Sequence, residues 1–338
     1  MKKLLVFPLA LLACCGGSGS DSLVVEARPR FAFVTNCVAD FWTLAQRGVE
    51  AAAKETGADC SFYTPTGAVE EQQRILEDQV AKGVDGIAVS PKDPDSMRGL
   101  LDRIAGQALL LTHDSDAPGS KRLAYVGVSN YTAGRMCGEL VKAARPNGGV
   151  VVLFIGTLDQ DNSRARRQGV VDELLGRTPD PRRFDAQDAK LEGNGFEIRA
   201  TYTDEIDHGK CKATAQDALA RWADVDCLVG MFEYEPPLLL DAVKSASRIG
   251  KVAVVGFDEA DATLQGIVDG TVAGTIVQNP YEYGRQSVLL LDRLFREKDQ
   301  QKRAALLPKD GFLDIPARRI TKDNVQAFWA DKKQKLGK

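Results

Sequence analysis

The sequence predicts an α/β chain folded as two lobes, each a doubly wound parallel sheet, and three observations carry that reading. Short apolar runs alternate with amphipathic stretches of about 12 to 16 residues along most of the chain, the rhythm of repeated βαβ units. The runs reach on the order of ten, too many for one strongly twisted sheet. Once a leader-like N-terminus is set aside, roughly 310 of the 338 residues remain, a length that suits two domains with ample core.

Residues 31–35 are a short apolar run ending at polar Asn36, read as a strand, and 41–56 follow with helical spacing. A strand is expected at 61–64. A helix at 69–82 carries Ile75, Leu76 and Val80 on one face and charges opposite. Residues 85–90, 93–106 and 108–112 continue as strand, helix and strand, and 123–128 is a further strand. The rhythm then restarts, with helices at 131–144, 162–175, 209–222, 236–247, 260–269 and 281–296. Between them lie strands at 149–155, 196–202, 227–229, 251–257 and 274–278. Helices separating parallel strands cover both sheet faces.

The N-terminus reads as an export signal. Lys2 and Lys3 precede an apolar stretch at 4–12 that only Pro8 interrupts, too short to span a bilayer. It ends in Leu11-Leu12-Ala13-Cys14, which resembles the bacterial lipobox. Residues 1–13 are therefore expected to be a signal peptide, Cys14 the lipidated N-terminus, and 14–27, rich in Gly and Ser, a flexible tether. An ordinary secretory signal containing a cysteine is the alternative; the cysteine's place between the apolar run and the Gly/Ser stretch favours the lipoprotein. No later segment approaches the length of a membrane span.

Composition narrows the function. The formal charge of −3, without a basic stripe, disfavours nucleic acid as a partner. Of the seven cysteines, the five beyond Cys15 are scattered without CxxC spacing, and an odd number cannot all pair. They read mainly as small apolar core residues. Only two histidines are present, His113 and His208, which argues against a zinc site. The chain has no phosphate loop and no GxSxG nucleophile, so no catalytic residue and no cofactor are expected. His113 and Asp114 are neighbours, yet such a pair without a nucleophile does not make a dyad.

Ligands of parallel sheets bind beyond the carboxyl ends of the strands. The residues that follow the expected strands include Asp40-Phe41-Trp42, His113-Asp114-Ser115-Asp116, 159–164, Tyr202-Thr203-Asp204, Phe232-Glu233-Tyr234, Phe257-Asp258-Glu259 and Gln278-Asn279. Aromatic rings can cover the C–H faces of a sugar while carboxylates, an arginine and an amide exchange hydrogen bonds with its hydroxyls.

On these residues the chain resembles the periplasmic sugar-binding receptors of ABC transporters, the ribose-binding-protein type within the lac-repressor-like superfamily. The resemblance runs from Phe31 to about Leu313. It is carried by Asp40-Phe41-Trp42 with Gly48, Gly83-Val84-Asp85-Gly86-Ile87-Ala88-Val89-Ser90, Thr112-His113-Asp114, the 162–169 segment NSRARRQG, Val255-Gly256-Phe257-Asp258 and Thr275-Ile276-Val277-Gln278. It implies the periplasmic binding protein type 1 fold: two lobes joined by three crossovers, near Ser129, Gln278 and Pro308. The N-terminal lobe would comprise 28–128 plus 280–307, and the C-terminal lobe 129–279 plus 308–330.

The resemblance also implies roles. Phe41 and Trp42 match the aromatic pair that sandwiches the sugar, with Asp40 beside them. Asp114 and Asp258 match hydroxyl-accepting aspartates, Arg164 the donating arginine (Arg166 then being structural), and Gln278 the glutamine at a crossover. Tyr202 and Phe232 complete the expected ligand set, with no metal. Simpler roles stand beside these: Asp114 and Asp258 as helix caps, Trp42 as a core ring, Arg164 as a solvated side chain, Tyr202 and Tyr234 as half-buried surface rings.

Three departures from the family pattern matter. Ala39 stands where ribose readers have asparagine, Ser115 where an arginine commonly follows the aspartate, and the segment from Phe232 to Glu235 where another asparagine is expected. Two donors are lost and acidic or aromatic groups gained, which removes the case for ribose itself. A net-acidic pocket suits a neutral polyol or an amino sugar better than a sugar phosphate. The expected protein is a monomeric extracytoplasmic solute receptor, held to the membrane only by its lipid, that closes on a sugar or polyol and delivers it to an ABC permease. A sensory receptor presenting its closed form to a chemoreceptor or histidine kinase is the alternative.

Overall fold

The computed structural model describes residues 28–66 and 68–337. The expected signal peptide, the lipobox with Cys14 and the tether up to residue 27 lie outside the described residues.

The chain begins with β1 (Arg30–Val34), α1 (Asp40–Thr56), β2 (Asp59–Tyr63), α2 (Val69–Ala81), β3 (Gly86–Val89), α3 (Pro94–Ala105), β4 (Leu109–His113) and β5 (Ala124–Gly127). After a first crossover come α4 (Asn130–Ala144), β6 (Gly149–Ile155), α5 (Asp161–Leu174), β7 (Leu191–Gly193), β8 (Phe196–Thr203) and α6 (His208–Arg221). They are followed by β9 (Val225–Gly230), α7 (Glu235–Ser245), β10 (Ala253–Phe257), α8 (Asp261–Asp269) and β11 (Gly274–Val277). The chain then returns to the first lobe as α9 (Pro280–Arg296), α10 (Gln300–Ala305) and β12 (Phe312–Asp314), and ends in the second as β13 (Arg318–Ile320) and α11 (Val325–Lys335).

The first sheet has the order β12-β5-β4-β3-β1-β2 and is parallel throughout. The second has the order β13-β11-β10-β9-β6-β8-β7; its two edge strands alone run antiparallel to their neighbours. Both faces of each sheet are covered. In β1, Phe31 and Phe33 enter one apolar cluster and Ala32 and Val34 another, as the two-residue period of a strand requires. In β6, Val151, Leu153 and Ile155 face one cluster and Val152 and Phe154 the opposite one.

Two glycine pairs set the helix spacing. A Cβ at Gly48 of α1 would strike the Tyr281 carbonyl of α9, and one at Gly284 that of Ala45. In the second lobe a Cβ at Gly134 of α4 would strike the Arg166 carbonyl of α5, and one at Gly169 that of Tyr131. The second pair fixes the helix that carries the cleft arginine.

The expected division of the chain is corrected at its third crossover. Residues 308–330 do not all belong to the second lobe, because β12 pairs in parallel with β5 of the first sheet. Phe312 stacks on Tyr125 at 5.4 Å and Leu313 packs on the first lobe's core, so the chain changes lobe between Asp314 and Arg318 rather than near Pro308. Three-residue strands such as β7, β12 and β13 are too short to show a period. The five described cysteines are unpaired; Cys137, Cys211 and Cys227 are buried, while Cys37 and Cys60 are half-buried. Among the described residues no helix is long and apolar enough to cross a membrane.

Candidate functional site

A cleft of about 620 Å³ lies between the carboxyl ends of the two sheets. Its first wall comes from the β1–α1 connection and the first turn of α1. Phe41 and Trp42 are both buried and meet edge to face at 4.8 Å. Behind them Trp42 packs on His113 at 5.5 Å, and His113 stacks on Phe33 at 3.9 Å. The His113 Nε2–H donates to the Val34 carbonyl at 3.2 Å. Burial pushes its pKa down to about 3, so the ring stays neutral. It belongs to the aromatic stack under the cleft.

Asp114 follows β4 in the left-handed region, with φ 58°. Its Oδ2 accepts from Ser90 Oγ at 2.9 Å and from the amides of Asn36 and Asn162, each at 3.3 Å. Asn36 is in the first lobe and Asn162 in the second, so one carboxylate oxygen ties the lobes together. Burial raises its pKa to about 6, against the pull of Arg166 and Ser90. Asp258 follows β10 in the same conformation, φ 60°. It accepts from Gln278 Nε2 at 3.0 Å, and Gln278 Oε1 accepts from the Tyr283 hydroxyl of α9 at 3.0 Å. Burial raises its pKa too, with Arg166 opposing. Neither aspartate caps a helix: Asp114 precedes none, and the N-cap residue of α8 is Ala260.

The cleft arginine is Arg166, which corrects the choice of Arg164. Asn162 and Arg166 are four residues apart and share one face of α5, whereas Arg164 lies about 200° around the helix from Asn162. Arg164 donates to the Asp159 carbonyl at 3.0 Å and reaches Asp95 at 3.8 Å, outside the cleft lining. Arg166 is 2% exposed; it donates to the Met231 carbonyl at 2.6 Å and to Asn130 Oδ1 at 2.9 Å, and its guanidinium lies 4.4 Å from the Phe257 ring.

Tyr202 is not in the cleft either. It packs on Phe154 at 5.7 Å and Trp222 at 6.5 Å, on the sheet face turned toward α6 and α7. The aromatic groups of the second wall are Phe232 and Tyr234, which meet edge to face at 6.2 Å, with His208 stacked on Tyr234 at 4.6 Å. Tyr234 donates to Asp204 Oδ1 at 2.5 Å. The loop is held by buried Glu235, whose Oε2 accepts from the amides of Met231 and Phe232 at 2.6 and 2.9 Å.

Asp40, Phe41, Trp42, Asp114, Phe232, Asp258 and Gln278 thus line one cleft, together with Asn36, Gln160, Asn162, Arg166, Ile206, His208, Glu233 and Tyr234. The i, i+4 spacing of Asn162 and Arg166 was the available signal for the second of them. Asn36 carried the signal of its place just beyond the first strand, whereas Ile206 and His208, in a loop and at a helix start, carried none. Among the described residues no group of His, Cys, Asp or Glu is arranged to hold a metal ion.

The periplasmic binding protein domain family matches residues 31–299. The chain belongs to that family. It is 23% identical over 308 residues to the ribose import binding protein RbsB of Salmonella typhimurium, covering 89% of this chain and 96% of the relative. Among solved structures, GanP, a glucose-galactose binding protein from Geobacillus stearothermophilus, is 25% identical with a TM-score of 0.78, over 88% of this chain and 99% of that one. An ABC transporter solute-binding protein from Burkholderia graminis, solved with D-arabinose, is 24% identical with a TM-score of 0.79, over 89% of this chain and 98% of that one. The two-lobe fold and the family read from the sequence are borne out, as is a binding protein rather than an enzyme. Family membership also makes the protein extracytoplasmic.

Proposed function

We propose that the protein captures a sugar or sugar-like polyol between its lobes and delivers it, as a monomer, to an ABC permease. The observation that carries this is the composition of the opposed walls. Phe41 and Trp42 on one lobe and Phe232 and Tyr234 on the other supply ring faces, and Asp114, Asp258, Arg166, Asn162 and Gln278 supply hydrogen-bonding groups. That is what a polyhydroxylated ring needs. The names of the relatives support the same ligand class and transport role. Cys14 serves as the lipid anchor, and the crossovers at 128–129, 278–279 and 315–317 act as the hinge, ligand contacts on both walls favouring the closed state. Calorimetric titration with pentoses, hexoses, polyols and amino sugars tests the proposal. Binding with one site per chain supports it, and heatless titration with every member of the panel refutes it.

A further inference from the structure

Four carboxylates line the cleft, those of Asp40, Asp114, Glu233 and Asp258, against Arg166 as the one lysine or arginine among the described lining residues. Two of the four are answered within the protein. Asp114 takes bonds from Ser90, Asn36 and Asn162, and Asp258 takes one from Gln278. Glu233 differs: among the described residues its carboxylate has no ion pair and no side-chain hydrogen bond, only the backbone amide of Phe41 across the cleft. It lies within the field of Asp258 on its own lobe and Asp40 on the other, with Lys332 the opposing charge. Burial and these two neighbours raise its pKa to about 7. Neighbouring Glu259, itself buried, is also raised well above the usual carboxylate range by burial.

The hydrogen-bonding inventory of the wall points the same way. Gln160 is 2% exposed and its Oε1 has no partner, and Arg166 Nε on the same wall is also without one. The carboxylate of Glu233 adds acceptors that no side-chain donor of the described residues answers. A neutral sugar would have to share its hydroxyls among them and would leave the charge of Glu233 unmatched in a half-closed cavity. An alkylammonium group brings three donors, no acceptor and the missing charge. We infer that the cleft is built for an amine-bearing sugar or aminopolyol, its ammonium group paired with Glu233 and within the field of Asp258 and Asp40.

This rests on the sugar-receptor reading, and the test separates the two. The full chain is titrated at pH 7.5 with D-glucosamine, D-galactosamine and 1-amino-1-deoxy-sorbitol, with the parent sugars and sorbitol, and with the N-acetyl derivatives. At least one amine should bind about tenfold or more tighter than both its hydroxyl parent and its N-acetyl form. Glu233→Gln should abolish that preference, lowering the amine's affinity by about tenfold or more relative to its hydroxyl parent, with the melting temperature unchanged or higher. Affinity for the amine should also fall between pH 7.5 and 6, as Glu233 takes up its proton. If parents bind as tightly as amines, or if Glu233→Gln keeps the preference, the inference is overturned while the sugar receptor stands. Should no member of any series bind, both fall.

Discussion

Asp114 and Asp258 hold the same left-handed backbone conformation, each one residue beyond a strand of a different sheet. Each donates its amide to the adjacent strand, Asp114 to Val126 at 3.2 Å and Asp258 to Ile276 at 2.8 Å. Each is also bonded to a crossover. The Asp114 carbonyl accepts from Tyr125 and Asn130 at the first, and the Asp258 carboxylate accepts from Gln278 at the second. Left-handed residues other than glycine are uncommon, and aspartate and asparagine are the side chains that best tolerate the conformation.

Alanine and asparagine should therefore part company at these positions. Asp114→Ala and Asp258→Ala lose the acceptor and add a backbone penalty of about 1–2 kcal/mol, so stability and affinity both fall. Asp114→Asn and Asp258→Asn keep the backbone; their melting temperatures should stay within a few degrees while ligand affinity drops roughly tenfold or more. Thermal melts and calorimetry on the four variants decide this, and equal behaviour of the Ala and Asn variants would refute it.

Arg166 and Arg164 give the cleanest contrast in the site. Removing Arg166 leaves the Met231 carbonyl and Asn130 Oδ1 without a charged donor and strips the cation from the Phe257 face. Arg166→Ala should cost about 2–5 kcal/mol of stability and most of the binding. Arg164→Ala, whose side chain sits at the rim, should alter stability by less than about 1 kcal/mol. Chemical denaturation of both variants reads the difference.

Glu233 should make the unliganded protein less stable as pH rises. Its folded pKa of about 7 lies above its ordinary value of 4.5, so between those values the folded state holds more protons than the unfolded one. Stability contributed by this group therefore falls with rising pH until about pH 7. Glu233→Gln removes the penalty: it should raise stability by on the order of 2 kcal/mol at pH 8 and by clearly less at pH 6. Equal gains at both pH values would sink the assignment.

His113 works in the opposite direction. Its folded pKa of about 3 lies below the usual 6.5, so the unfolded state binds the extra proton. Stability is whole above about pH 6.5 and is lost as pH falls toward 3. His113→Phe should flatten that acid limb in melts between pH 6.5 and 4.5, at the cost, at every pH, of one of the two hydrogen bonds on the Val34 carbonyl, which keeps the Ser90 amide at 3.0 Å.

The close approach of α4 and α5 predicts a packing defect that reaches the cleft. Gly134→Ala places a methyl group against the Arg166 carbonyl and should cost about 1–3 kcal/mol. Because α5 must shift with Arg166 and Asn162 on it, ligand affinity should fall as well. Full affinity in a destabilised Gly134→Ala protein would show that the helix position is not critical.

The lobes were legible because long elements declare their period. Residues 149–155 form a strand with the expected bounds, and 281–296 differs from α9 by one residue. β12 was not legible: three residues carry no alternation, and its place beside β5 depends on Phe312 meeting Tyr125, two residues far apart in sequence. In the site, a residue's place after a strand identified Asp114 and Asp258 directly. On α5 the same rule gave Arg164, because order along the chain does not reveal helical phase; the spacing from Asn162 does. Tyr202 lies within β8 rather than after it, and its side chain faces the apolar layer on one side of the sheet, whereas Tyr234 lies in the connection after β9 and reaches the cleft.

The late crossover at 315–317 bears on how the chain can be made. α9 and β12 finish the first lobe, and β13 and α11 finish the second, all after the last βαβ unit has been synthesised. α1, which begins at Asp40, must wait for α9, which begins only at Pro280, before Gly48 can pack on Tyr281 and Gly284 on Ala45. A chain growing from its N-terminus therefore carries two open sheets at once, and neither can close its edge until β12 and β13 have left the ribosome.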